Sequence, residues 1–150
     1  MRNLILIGLG VASLFIFNSC KKGGFKTSSD RIMGEWYFEK VKFREGGTFR
    51  NRNITEDYSD LTVEFTEDFE YIETNGLDGS IRNGIWEIKS NFTTVNGSTT
   101  GGEVMECPIY NPATGLIDII QWEQLNVTRN RICATEQKMG GTFWYTLKRN

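Results

Sequence analysis

Residues 32–150 of this chain predict an all-β domain of roughly eight antiparallel strands, closed as an up-and-down barrel. Short segments alternate apolar and polar residues, as strands with one buried face do. Glycine, asparagine and aspartate punctuate them at close intervals, and no segment carries the period of an amphipathic helix. Two stacked sheets satisfy the same alternation and stand as the alternative architecture.

The elements follow in chain order. Arg2 precedes an apolar run from Leu4 to Phe17. As a helix this run spans about 21 Å, short of the ~30 Å hydrocarbon core of a bilayer. That length suits the apolar region of an export signal over residues 1–19. Lys21 to Asp30 is polar and glycine-containing, so residues 20–31 read as a tether.

The first strand is Gly34 to Phe43. Trp36 and Phe38 share one parity and Val41 and Phe43 the other, so one extra residue near Lys40, a β-bulge, brings all four to one face. Glu45 to Ser59 is a long loop whose Phe49, Ile54 and Tyr58 are placed to cover the barrel end opposite Gly34. Leu61–Phe65 and Phe69–Tyr71 form a hairpin across Thr66-Glu67-Asp68. A turn over Asn75–Ser80 leads to a strand with Trp86 and Ile88 on one face, then a weaker strand over Phe92–Val95.

Thr99 to Gly115 reads as a loop because it holds Cys107-Pro108 and Asn111-Pro112. Leu116 to Trp122 is apolar on both parities, a strand buried on both faces or a short helix. Leu125 and Val127 continue it, Thr128–Arg131 turns, and Phe143–Leu147 closes the chain.

Two resemblances add to this reading. The apolar run followed by Asn18-Ser19-Cys20 resembles the lipobox of bacterial lipoproteins, and Asn-Ser-Cys-Lys-Lys is similar to lipoproteins of the Bacteroidota. The resemblance implies cleavage before Cys20, a diacylglyceryl group on its thiol, fatty-acyl chains such as palmitate, and anchorage in the cell envelope. Lys21-Lys22 after the cysteine implies a periplasm-facing protein, in the outer membrane. Gly34-Glu35-Trp36 at the head of the first strand, Gly84-Ile85-Trp86 in mid-chain and the closing Tyr145-Thr146-Leu147-Lys148 resemble lipocalin-like domains, which implies that Trp36 plugs one end of the barrel. Lipocalins carry a Thr-Asp-Tyr-like motif between strands six and seven. Here that turn reads Thr128-Arg129-Asn130-Arg131, so their receptor-binding face does not carry over.

Composition narrows the chemistry. The formal net charge is −2, and Arg2 is the only charge in residues 1–19, so the mature chain sits near −3. With no long basic run, no nucleic-acid partner is expected. There is no histidine, which removes imidazole acid–base chemistry, triads that depend on it and most zinc sites. Glu56-Asp57 and Glu67-Asp68 fall in turns and read as solvated charge. No catalytic residue, metal or cofactor is expected. Cys107 and Cys133 are the pair available for a disulfide outside the cytoplasm. Closing their 26-residue separation is worth about 3.5 kcal/mol in a chain-entropy account.

Phe38, Phe65, Tyr71, Trp86 and Tyr145 are the candidate ligand-lining residues. They serve equally as filled core, because an eight-stranded barrel is just wide enough for its own side chains or one small ligand. Three functions therefore stay open. The first is a binder of a small, largely apolar ligand, the second a structural or envelope-interaction module with a filled barrel, and the third, the weakest on these residues, an enzyme.

Overall fold

The computed structural model describes residues 27–96, 98–111 and 114–150; the expected export signal over 1–19 and Cys20 lie outside them. The strands are β1 Gly34–Glu45, β2 Arg52–Asn53, β3 Leu61–Phe65, β4 Glu70–Asn75, β5 Ile81–Ile85, β6 Glu87–Val95, β7 Ser98–Asn111, β8 Leu116–Val127, β9 Arg131–Lys138 and β10 Gly141–Arg149. Each wall strand pairs antiparallel with its neighbours, and β10 returns to pair along β1, closing the sheet. β5 and β6 run end to end along β7, so the wall has eight strands and the barrel is up-and-down. Closure leaves the wall without a free edge over most of its height.

Strand β1 shows why the pattern needs a bulge. Its register against β10 shifts between Phe38 and Lys40, which leaves Glu39 as the extra residue. Trp36, Phe38 and Val41 are consequently all buried, with Phe43 half-buried behind them. β8 solves the same problem at Gln124, whose φ of 50° lies where the register against β9 shifts. Trp122 before it and Leu125 and Val127 after it then all point inward.

The closed end is built around Trp36. A short helix α1, Ser28–Ile32, about one and a half turns long, is started by a capping box between Thr27 and Asp30 and leads directly into the first strand. Trp36 donates its indole N–H to the carbonyl of Ile32 at 2.6 Å. The Arg149 guanidinium lies 4.3 Å over its ring and donates to the carbonyls of Met33, Arg31 and Arg129. Gly34 has φ 115°, which a side-chain-bearing residue rarely adopts, and a Cβ there would meet Arg149 Nη1 at 2.5 Å. The glycine of Gly-x-Trp therefore makes room for the arginine that covers the tryptophan. Phe65, Trp86, Met105, Ile109, Ile132 and Leu147 are buried with Trp36 in one core cluster.

Three sequence expectations need correction. Thr99 to Gly115 is not a loop, because Ser98–Asn111 is the longest strand. Met105, Cys107 and Ile109 alternate into the core there. Pro108 costs little because β5 meets β7 at only one residue pair, Gly84 with Ile109, and the Pro108 carbonyl lies 2.2 Å from where a Cβ on Gly84 would stand. Leu116 to Trp122 is a strand, yet not buried on both faces: Ile117 and Ile119 are 65% and 64% exposed on the outer wall. Cys107 and Cys133 are free thiols, one buried and one exposed. They stand on β7 and β9 with β8 between them, one facing the core and the other solvent, so no disulfide joins them.

Candidate functional site

The end opposite Trp36 is the open mouth. β1 rises from Gly34 to Glu45, and its connection to β3 folds back there rather than standing as a free loop. Arg52 and Asn53 pair with β1, and Thr55 Oγ accepts the Val41 amide at 2.9 Å. A 3₁₀ turn over Thr55–Tyr58 then lays Tyr58 against the rings of Phe38, at 5.1 Å, and Tyr145, at 6.0 Å. Of the loop residues expected to cover the mouth, Tyr58 does so and Ile54 packs on the core. Phe49 is 99% exposed and covers nothing.

Beneath Tyr58 lies a cavity of about 70 Å³ bordered by Phe38, Tyr58, Leu61, Tyr71, Glu73, Arg82, Ile120, Trp122, Glu136, Lys138 and Tyr145. Among the candidates named from the sequence, Phe38, Tyr71 and Tyr145 reach it. Phe65 and Trp86 do not: they stack edge-on at 5.7 Å in the packed half below.

The polar residues of the cavity went unnoticed in the sequence. Glu73 sits on β4 two residues after Tyr71, sharing its inward parity, and faces Arg82 directly across the β4–β5 ladder. Arg82 donates from Nε and Nη2 to Glu73 Oε1 at 3.0 and 2.5 Å, and the Tyr71 hydroxyl donates to Oε2 at 2.8 Å. On β9, Glu136 follows inward-facing Ile132 and Ala134. It accepts from the Tyr145 hydroxyl at 2.7 Å and pairs with Lys138 Nζ at 3.0 Å. The signal that identifies both carboxylates is a charged residue on an apolar strand's inward parity, whereas Glu56-Asp57 and Glu67-Asp68 are exposed in turns.

Burial raises the Tyr71 and Tyr145 phenols well above their ordinary range, and the neighbouring carboxylates push in the same direction. Both therefore stay protonated at neutral pH and act as donors to the carboxylates. The cavity is thus an aromatic vestibule with two acidic walls, each tied to one phenol and one basic side chain. A broader hollow of about 690 Å³ beside Asp30, Arg31, Arg129 and Arg149 lies outside the closed end. Its central guanidinium is already committed to three carbonyls. No family model, curated protein or solved structure matches this chain.

Proposed function

We propose that this chain is a lipid-anchored protein of the bacterial cell envelope, outer-membrane and periplasm-facing, whose barrel takes one end of a small, largely apolar ligand at its mouth. The anchor rests on Ser19-Cys20 after the short apolar run. The observation that carries the binding reading is the cavity under Tyr58, walled by aromatic rings and interrupted by two buried carboxylates. A few oriented polar groups in an apolar wall are how small-molecule sites fix a ligand's orientation.

The cavity's size favours a second reading. About 70 Å³ is well below the ~300–1,000 Å³ of sites that enclose a whole drug-sized molecule. A structural module with a filled barrel fits that volume, whereas the binding reading has only the ligand's buried end inside. Native mass spectrometry of the protein purified from its own membrane separates the two. A bound small molecule released on unfolding supports the binder; bare protein in every preparation supports the filled barrel. For the anchor, Cys20→Ala should abolish fatty-acid labelling and leave the precursor uncleaved. Unchanged labelling and processing would refute it.

A further inference from the structure

The two buried carboxylates of the mouth are not equivalent. Glu73 is fully engaged, with Oε1 held by the Arg82 fork and Oε2 by the Tyr71 hydroxyl. Glu136 is engaged on one oxygen only. Its Oε2 receives both the Tyr145 hydroxyl and the Lys138 ammonium. Its Oε1 has no hydrogen-bond partner among the described residues, although the residue is only 2% exposed. A buried carboxylate oxygen without a donor is costly, and a native fold keeps one where something else completes it.

The two cations differ in the same sense. Arg82 is held by two N–H groups in a planar fork. Lys138 makes one ion pair at the rim, its side chain about half exposed, and its ammonium at the same time lies 5.6 Å from the Phe143 ring centre. An ammonium held by one ion pair on a flexible, half-exposed stem can be replaced. The other walls include the rings of Phe38, Tyr58, Tyr71, Trp122 and Tyr145 beside Leu61, Ile120 and the Glu73–Arg82 pair, and aromatic rings can attract cations.

We propose that the mouth binds a small organic ammonium ligand, such as the protonated end of an alkylamine. Its N–H groups bond the Glu136 carboxylate among these rings, and it displaces the Lys138 ammonium to solvent. This deepens, and rests on, the ligand-binding reading above. Exchanging one cation for another leaves the charge of the cavity unchanged. An anion would meet two carboxylates, and a neutral donor would lack the charge needed to displace lysine. The volume of about 70 Å³ equals the share of two to three waters at ~30 Å³ each, room for an ammonium and its first carbons. An attached apolar chain would leave past Tyr58.

The test is calorimetric titration of the full-length chain in phosphatidylcholine nanodiscs with butylammonium, butanol and butyrate, with empty nanodiscs subtracted. Butylammonium is expected to bind at least about tenfold more tightly than either competitor, the range of a charge-assisted hydrogen bond. Glu136→Gln should erase that preference. Lys138→Met should strengthen butylammonium binding about three- to tenfold by removing the competing cation. A purely structural Lys138–Glu136 pair predicts no such gain. Equal binding of the three compounds, an unaffected preference in Glu136→Gln, or weaker ammonium binding in Lys138→Met would overturn the proposal. Should Glu136→Gln fail to fold, the ligand series on the unaltered chain and Lys138→Met decide alone. Absence of ammonium preference in a protein that leaves its own membrane with another small molecule bound would refute the ammonium and spare the binding reading. Absence of both refutes both.

Discussion

At the scale of single residues, Arg149 ties the last strand to the first strand and the helix before it. Its guanidinium covers Trp36 at 4.3 Å and donates to carbonyls of Arg31, Met33 and Arg129, joining helix, first strand and the β8–β9 turn. Arg149→Ala removes the stacking and three charge-assisted bonds, and should cost about 2–4 kcal/mol in urea denaturation. Arg149→Lys should recover less than half of that, because a point charge cannot reproduce the fork. The thiols make a second case. Burial first, and Glu73 second, push the Cys107 thiol up to about 12. At pH 8 its thiolate fraction is then on the order of 10⁻⁴, and thiolate is the reactive form. Of these two thiols, brief treatment of native protein with N-ethylmaleimide should modify Cys133 and leave Cys107. Intact mass should show the Cys107 adduct only after unfolding.

At the scale of elements, β1 depends on one unpaired residue. Glu39 is the bulge that lets Trp36 and Phe38, then Val41, all face inward. Deleting Glu39 restores an unbroken period of two and turns one half of the strand's apolar side chains to solvent. Several fully buried residues are lost at ~1.5–3 kcal/mol each, against a total stability on the order of 5–15 kcal/mol. No folded protein is expected, as judged by loss of near-ultraviolet circular dichroism. Glu39→Ala is the control. It keeps the bulge and removes only a surface pair with Arg131 at 3.0 Å, worth at most ~1 kcal/mol. The bulge was readable from the parity switch between Phe38 and Val41. Strand β7 was not, because Pro108 is a breaker by composition and only its place beside a sparsely paired β5 makes it harmless.

At the scale of the whole molecule, closure depends on the chain's last strand. β10 pairs with β9 on one side and along β1 on the other, and it supplies Tyr145 to the mouth, Leu147 to the core and Arg149 to the closed end. A chain ending at Gly140 would leave β1 and β9 as open edges and strip the cover from Trp36. It should show no cooperative urea transition and should aggregate on concentration, checked by light scattering beside the full chain. The mouth and the closed end divide one barrel between two chemistries. The lower half is apolar and packed, and the upper half holds every buried carboxylate identified among the described residues.

The sequence by itself determined the class of fold, the hairpins, the bulge in β1 and the position of Trp36. The first three follow from local parity and turn chemistry, which a strand carries in its own residues, and the place of Trp36 follows from the Gly-x-Trp resemblance. Tertiary structure alone decided which aromatics meet. Phe65 stands directly across the ladder from Tyr71 with their rings 5.5 Å apart, yet the Tyr71 hydroxyl reaches Glu73 at the cavity while Phe65 packs against Trp86. It also decided the fate of the cysteines, because parity and strand order together set Cys107 and Cys133 on opposite faces of the sheet. The acidic walls lie between these cases. Glu73 and Glu136 announce themselves as charges on an inward parity, but their partners come from elsewhere: Arg82 across a ladder, and Tyr145 from the neighbouring strand β10. Pairing across strands is set by register and closure, which no single segment encodes, and that is why the half-engaged Glu136 emerges only from the folded barrel.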